Sequence, residues 1–152
     1  MSTLTCAAVT IRKAIAEDWP LLARMYEGFP SSAESLGLPP QDEVRRLQWL
    51  ERFWKEGVNL VAVVDESIVG HLVLMPSEVV AEMAVFVRED HRRQGVGQSL
   101  AVAAIEEARK RGLRSVWVLI SSSNGGAWKG LHKFGFRTAW ESQGEVQLVF
   151  PL

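Results

Sequence analysis

The chain has a single cysteine and no surplus of charge of either sign. With Cys6 alone, neither an intramolecular disulfide nor a metal site built from several cysteines can form, which is typical of proteins in a reducing compartment. The 17 basic residues are balanced by 18 acidic ones, for a formal net charge of −1. Nucleic-acid and anionic-membrane binding usually need a basic excess, so we expect no nucleic-acid partner.

Long apolar runs are missing too. No run is long enough to cross a bilayer, and only five residues precede Cys6, too few for the apolar region of a signal peptide. Repeats and low-complexity tracts are likewise lacking. The 152 residues, of which 47% are apolar, therefore predict one cytoplasmic globular domain spanning residues 1–152, with no membrane partner. The oligomeric state is open, and a homodimer is one option.

The pattern of apolar residues predicts a chain that mixes strands and helices. Residues 58–64 and 68–75 are β-branched and apolar on both faces, which is typical of central strands covered by helices on each side. Residues 41–56 carry apolar side chains at helical spacing. The complete predicted order is strand, two helices, three strands, helix, strand, helix and two strands. Asp18 and Asn124 are predicted to cap the N-termini of the first and last helices.

A turn with two glycines lies between a predicted strand that ends at Val87 and a predicted long helix. The first turn of a helix offers unpaired N–H groups and a partial positive charge, and Gly95 and Gly97 let an anion approach them closely. The pattern therefore predicts a phosphate-binding site. Leu100 replaces the third glycine of the dinucleotide fingerprint, and the lysine motif of a P-loop is absent. The simpler alternative is a helix entered through a tight glycine turn without a ligand.

Two polar residues stand in otherwise apolar strands. Glu82 lies in the middle of the predicted strand 79–87, and a buried carboxylate needs a hydrogen bond, a cation or water in a cleft. It is therefore a functional candidate, although a glutamate on a solvated face is the plainer alternative. His71 is a lone histidine in a strand, which is more often a core residue with satisfied hydrogen bonds than a ligand or a base.

Two motifs in the chain resemble those of one enzyme family. Arg92-Arg93-Gln94-Gly95-Val96-Gly97 fits the Q/R-x-x-G-x-G/A signature, and Asn124-x-x-Ala127 is followed about ten residues later by Gly135-Phe136. In this order and spacing they resemble the two hallmarks of the GNAT superfamily of acetyltransferases. The resemblance implies a mixed α/β fold with a mostly antiparallel sheet of about seven strands and helices on both faces. It also implies a splayed parallel pair of strands that forms the acetyl-CoA cleft.

Within this superfamily, the chain is most similar to the acetyltransferase domain of the bacterial Pat-type protein lysine acetyltransferases. This likeness rests on four segments: Ile11-Arg12, Glu17-Asp18, Ala81-Glu82 and Val87-Arg88-Glu89-Asp90. The resemblance implies acetyl-CoA as the co-substrate, an amine as the acceptor and no metal. The implied cofactor-binding residues are the backbones of Val85 and Val87, which would pair with pantetheine, the pyrophosphate-binding residues Arg92, Arg93, Gln94, Gly95, Val96, Gly97 and Gln98, Asn124 on the pantetheine arm, and Lys129 and Lys133 near the nucleotide phosphates.

The resemblance also implies a catalytic scheme. Glu82 falls where several amine acetyltransferases place their general base, for direct attack by a protein lysine or a small-molecule amine in a ternary complex. Leu131 stands where many members have a tyrosine that protonates the leaving thiolate, and His132 points about 100° away on a helix. The alternative function is therefore a CoA-binding sensor without turnover. Beside the predicted loop 31–40, the candidate acceptor-pocket residues are Tyr26, Phe29 and Trp49.

Overall fold

The computed structural model describes residues 8–29 and 39–152. Its strands are β1 (Thr10–Lys13), β2 (Val58–Val64), β3 (Ser67–Ser77), β4 (Val80–Val87), β5 (Ser115–Ser121), β6 (Arg137–Ser142) and β7 (Glu145–Pro151). Its helices of more than one turn are α1 (Trp19–Glu27), α2 (Glu43–Glu56), α3 (Val96–Lys110) and α4 (Gly125–Phe134). Cys6 and most of the predicted loop 31–40 lie outside the described residues.

The described strands form one sheet in the order β1-β2-β3-β4-β5-β7-β6. Every neighbouring pair is antiparallel except β4 and β5, which run parallel. The predicted mixed, mostly antiparallel sheet of about seven strands is therefore confirmed. The two strands that are apolar on both faces, β2 and β3, are interior strands, as expected from their sequence.

The parallel pair is short, and this shapes the middle of the molecule. β4 and β5 pair only at Val80, Ala81 and Glu82, the last of them opposite Trp117. On its other edge β4 stays paired with β3 as far as Val87. The two parallel strands therefore separate after Glu82, and a gap opens in the sheet beside residues 83–87.

Helices cover both faces of the sheet, and each face has its own apolar core. On one face, Leu100 of α3 packs in a core with strand side chains such as Met83 and Leu148, and Leu131 and Phe134 of α4 join this core from its edge. On the other face, α1 and α2 enclose an aromatic-rich core whose members include Leu22, Tyr26, Leu50, Val61 and Phe86. Because strand side chains alternate between faces, successive residues of β4 contribute to different cores.

The helix termini agree with the sequence except at one side chain. Asn124 caps α4 as predicted, because its Oδ1 accepts the N–H of Ala127 (3.3 Å). Asp18 precedes α1 as predicted, but its buried carboxylate accepts two bonds from Arg12 (2.6 and 2.9 Å) instead of capping the helix. A bidentate bond to a charged guanidinium is stronger than a bond to one amide, which accounts for the difference. None of the helices in the described part of the chain is long and apolar enough to cross a membrane.

Candidate active site

The N-terminus of α3 has the geometry of an anion site. Gly95 has φ +81°, a left-handed conformation that favours glycine, and the first helical bond runs from the Ser99 N–H to the Gly95 carbonyl (3.0 Å). The N–H groups of Val96, Gly97 and Gln98 precede that bond, and no acceptor for them lies among the residues that the structure describes. Three amides therefore point out of the helix end, where its dipole is positive.

Space is left beside these amides. A Cβ added to Gly97 would meet the side chains of Val87 and Val85 only at ordinary contact distances, 3.7 and 4.0 Å, and one added to Gly95 would meet nothing within 4 Å. The first turn of α3 thus lies against the α3 face of β4, with an open approach to its N–H groups. A pyrophosphate fits a cradle of this kind.

The turn that leads into α3 is held by side chains. Asp90 accepts hydrogen bonds from Arg88 (Nε, 3.0 Å) and His91 (Nδ1, 3.0 Å), and the bond from Arg88 is the main reason that its pKa falls to about 2. Arg92 donates from Nε to the Val87 carbonyl (3.1 Å). Arg92 and its neighbour Arg93 are exposed, so two cations stand beside the amides of the α3 turn.

The free edge of β4 presents backbone groups to the gap. The Arg88 N–H bonds to the Val69 carbonyl of β3 (2.8 Å), while the Val79 carbonyl accepts an N–H from the segment that leads into β5 (2.6 Å). Because backbone groups alternate along a strand, odd-numbered residues of β4 face the β5 side. Val85 therefore directs its N–H and C=O groups into the gap, and Val87 its N–H, where an extended molecule can pair with them; the Val87 C=O already accepts the bond from Arg92.

A groove of about 460 Å³ lies on the opposite face of the sheet, between α2 and the strands. Its floor includes Glu82, which lies in register with Met75 of β3 and Trp117 of β5. Its wall is formed by one face of α2, from which Trp49 and Phe53 reach the groove. The Glu82 carboxylate therefore stands at the point where β4 and β5 begin to separate.

Glu82 is half-buried, and within the described residues nothing donates a hydrogen bond to its carboxylate or forms an ion pair with it. The other carboxylate of the groove, Glu56, is bound by Arg52 Nε at 3.2 Å. Both carboxylate oxygens of Glu82 are thus available as acceptors to a molecule that enters the groove. A carboxylate with free acceptor sites in a cleft can take a proton from a bound ammonium group.

The gap between β4 and β5 connects the anion-binding turn of α3 on one face of the sheet with the Glu82 groove on the other. The side chains of Val85 and Val87 face α3 and its anion-binding turn, whereas Glu82 and Ala84 face the groove under α2. A molecule held along the edge of β4 on one side can therefore meet a molecule held in the groove on the other. This is a geometry for transfer between two bound molecules.

The three predicted acceptor-pocket residues do not share one wall. Trp49 lines the groove beside Glu82. Tyr26 and Phe29 line a separate cavity of about 220 Å³ that Arg46 also borders. Only 2% of Tyr26 is exposed, and its ring packs against Trp49 at 5.2 Å between centroids. Tyr26 is therefore a buried residue that holds Trp49 in the groove wall. The loop expected to cover the pocket lies outside the described residues over positions 30–38.

His71 is a core residue whose hydrogen bonds are satisfied, as predicted. The Asn59 amide group donates to the Phe53 carbonyl (2.9 Å), which turns its Oδ1 towards His71 Nε2 (2.7 Å). Nε2 must therefore carry the proton, and Nδ1 accepts from the Tyr26 hydroxyl (2.5 Å). Burial lowers the His71 pKa to about 3. With both nitrogens engaged, His71 is not available as a base.

Helix α4 carries the second motif without an acid at the expected position. Leu131 is half-buried and packs on the core, so no hydroxyl stands there. His132 bonds instead to the Thr138 hydroxyl of β6 (2.9 Å) and packs on Trp128. That His132 does not replace the tyrosine stays a prediction, with which these contacts agree. A Cβ on Gly130 would lie 3.9 Å from the Gln98 side chain, which places α4 beside the α3 turn.

Arg52 and Trp117 are among the groove residues that were not identified from the sequence. Arg52 shares the groove face of α2 with Trp49 and Phe53, and its spacing of three residues from Trp49 is a usable signal. Trp117 could not be found in this way, because its place opposite Glu82 depends on the register of a parallel pair 35 residues apart in sequence.

The chain is similar to proteins of known activity. The family model for the acetyltransferase (GNAT) family matches residues 20–136. The L-methionine sulfoximine/L-methionine sulfone acetyltransferase of Pseudomonas aeruginosa is 28% identical over an alignment of 151 positions, gaps included, that covers 93% of this chain and 86% of that protein.

Solved structures show the same fold. The GNAT domain of S. lividans PAT superposes with a TM-score of 0.79 at 22% identity, over 93% of this chain and 89% of that one. The PaiA N-acetyltransferase of Thermoplasma acidophilum, in complex with coenzyme A, gives 0.76 at 17% identity, over 95% and 99% of the two chains. At these identities the likeness is one of fold.

Proposed function

The chain belongs to the GNAT family of acetyltransferases, and from this premise we propose that it acetylates a primary amine by direct attack on acetyl-CoA in a ternary complex, with Glu82 as the general base. One observation carries the proposal. A carboxylate without a described partner stands where β4 and β5 separate, across the sheet from the α3 turn.

The residues around the gap fit acetyl-CoA. The N–H groups of Val96, Gly97 and Gln98 would hold the pyrophosphate, together with the charges of Arg92 and Arg93. This arrangement uses the positive end of α3 and the open approach beside Gly97.

The rest of the molecule would lie along the gap. Backbone groups of Val85 and Val87 would pair with the pantetheine arm, which Asn124 would also contact. The Asn124 Oδ1 is used in capping α4, so its amide N–H₂ is the group left for the ligand. Lys133, near the end of α4, would face the nucleotide phosphates.

When bound, acetyl-CoA supplies the thioester: the amine nitrogen bonds to its carbonyl carbon, the C–S bond breaks and coenzyme A leaves as a thiolate. The work of Glu82 is to remove the first proton from the incoming ammonium group. A lysine-like amine has a pKa near 10.4, so deprotonation at pH 7 costs about 4.6 kcal/mol. The second proton, released once the nitrogen has been acylated, goes to solvent.

The acceptor is a primary amine with an apolar part. The aromatic side chains of Trp49, Phe53 and Trp117 give the groove an apolar lining around Glu82. The relative from Pseudomonas aeruginosa acts on L-methionine sulfoximine and L-methionine sulfone, which are small molecules with one primary amine. This supports a small-molecule acceptor over a protein lysine.

Glu82→Gln tests the proposal, because it keeps the shape of the side chain and removes its basicity. We expect turnover at pH 7 to fall by about 10²- to 10⁴-fold, the usual contribution of general-base catalysis, while acetyl-CoA affinity stays close to that of the wild type. The deficit should narrow as the pH rises and free amine becomes abundant. Thiol release from acetyl-CoA, measured against a panel of amines, follows turnover directly.

Glu51→Gln is the matched control, since it removes a carboxylate of α2 that pairs with Lys55 outside the groove. It should leave turnover unchanged. A Glu82→Gln enzyme that keeps more than about a third of wild-type turnover, with chemistry rate-limiting, would show that Glu82 is not the base. A wild-type protein that binds acetyl-CoA but acetylates no amine in the panel would instead point to a CoA sensor.

A further inference from the structure

We propose that Arg52 binds a carboxylate of the acceptor, so that the acceptor is an amino acid whose reacting amine lies close to its carboxylate and whose side chain is apolar. The inference rests on the proposed function, because it takes the groove beside Glu82 as the acceptor site. It assigns a specificity-determining role to a residue outside both sequence motifs.

Arg52 is a charged residue on the groove face of α2. Residues 49, 52, 53 and 56 follow the spacing of one helix face, and all four line the groove. The opposite side of the helix has its own ion pair, Glu51 with Lys55 at 2.7 Å. Helix geometry therefore places Arg52 on the groove side of α2, at the rim of the groove beside the contacting rings of Trp49 and Phe53.

The present partner of Arg52 can be exchanged. Its Nε donates to Glu56 at 3.2 Å, and the two side chains are 69% and 57% exposed. Exposed pairs of this kind contribute little to stability. In the described part of the chain, no acceptor is bound to the two terminal nitrogens of Arg52. A guanidinium has five N–H donors in a planar fork, so these nitrogens can bind a second carboxylate in bidentate fashion.

The groove thus presents three kinds of chemistry to an acceptor. Glu82 can accept a proton from an ammonium group, and Arg52 can donate hydrogen bonds to a carboxylate. Trp49, Phe53 and Trp117 can pack on an apolar side chain. An amino acid carries these three groups on one small frame. The side chain of a peptide lysine has no carboxylate near its amine, and a polyamine has no carboxylate at all, so neither could use the terminal nitrogens of Arg52.

Matched pairs of acceptors test this assignment. L-methionine and L-leucine are compared with their decarboxylated analogues, 3-(methylthio)propylamine and isoamylamine, and with a lysine peptide, by thiol release from acetyl-CoA. We expect the wild type to prefer each amino acid over its analogue by at least about tenfold in kcat/KM, which corresponds to about 1.4 kcal/mol. Arg52→Gln should remove this preference by raising the KM of the amino acids, and should leave kcat/KM for the analogues unchanged.

Arg45→Gln is the matched control, because Arg45 is an exposed arginine of α2 that does not line the groove. It should keep the wild-type preference. A wild type that acetylates analogues or the lysine peptide as well as the amino acids would overturn the role of Arg52 and leave the proposed function standing. Equal losses on amino acids and analogues in Arg52→Gln would overturn it too, while a wild type inactive on every amine would refute both.

Discussion

Acid should destabilise the protein through His71 before its carboxylates titrate. The His71 ring is fully buried, and burial lowers its pKa to about 3 in the folded protein. In the unfolded chain it titrates near the ordinary value of about 6.5. Above that pH both states are neutral and His71 adds no pH dependence. Below it the unfolded state binds a proton that the native state does not, so stability falls as the pH falls.

The size of this loss follows from the two pKa values. One pKa unit corresponds to about 1.36 kcal/mol, so the loss between pH 8 and pH 4.5 amounts to about 2.7 kcal/mol. That is a large share of the free energy of unfolding of a typical domain, about 5–15 kcal/mol. Hydrogen bonds and charges also lower the pKa values of Asp18 and Glu107, chiefly through Arg12 and Lys13. Those carboxylates lose their contribution mainly below about pH 4.5, outside this window.

Urea unfolding followed by tryptophan fluorescence at a series of pH values measures the effect. In His71→Gln, which does not titrate, the loss between pH 8 and pH 4.5 should be smaller than in the wild type by about 2.7 kcal/mol, whatever the absolute stability of the variant. The matched control, His132→Gln, removes an imidazole at the surface and should retain the wild-type loss. If wild type and His71→Gln lost stability in parallel, His71 would not be the buried neutral group described here.

Gly97→Glu places bulk and negative charge beside the α3 amides and should weaken acetyl-CoA binding at least about tenfold, about 1.4 kcal/mol, by calorimetry. Gly97→Ala should bind more tightly than Gly97→Glu, and wild-type affinity in a folded Gly97→Glu protein would refute the phosphate site. Trp49→Ala should raise the acceptor KM at least about fivefold, about 1 kcal/mol, and Phe29→Ala should change it less. A larger KM effect of Phe29→Ala than of Trp49→Ala would instead assign the acceptor to the smaller cavity. Tyr26→Phe should cost about 1–3 kcal/mol of unfolding free energy, because His71 Nδ1 loses its donor; an unchanged urea midpoint would contradict this.

Sequence reasoning succeeded where structure is set by local geometry. Gly95 adopts the left-handed conformation that its place before a helix suggests, and Asn124 caps α4. The apolar strands 58–64 and 68–75 could be placed inside the sheet because their own composition requires cover on both faces. In each case the pattern lies within a few residues of the feature it predicts.

Features that depend on how separate elements dock could not be predicted from the sequence. The Asp18 carboxylate was expected to cap α1, but Arg12 takes it, since β1 brings the guanidinium within 2.6 Å. Tyr26 was predicted to line the acceptor pocket, but the bond from its hydroxyl to His71, 45 residues away, was not predicted. Likewise the placement of Trp117 opposite Glu82 depends on the register of β4 and β5. Pairings of this kind follow from how elements dock, which the local sequence pattern does not encode.

The energetics of the reaction explain how the site can hold leucine at position 131. Removing a proton from a lysine-like amine at pH 7 is uphill by about 4.6 kcal/mol, whereas protonating a thiolate of pKa about 8.5 is downhill by about 2 kcal/mol. For an amine of this basicity, a base therefore has more to contribute than an acid. Leu131 packs on the core and His132 is engaged by Thr138, so neither supplies an acid, and the departing thiolate can take its proton from solvent. By the same comparison, loss of the Glu82 carboxylate should be much more damaging than the absence of a tyrosine hydroxyl on α4.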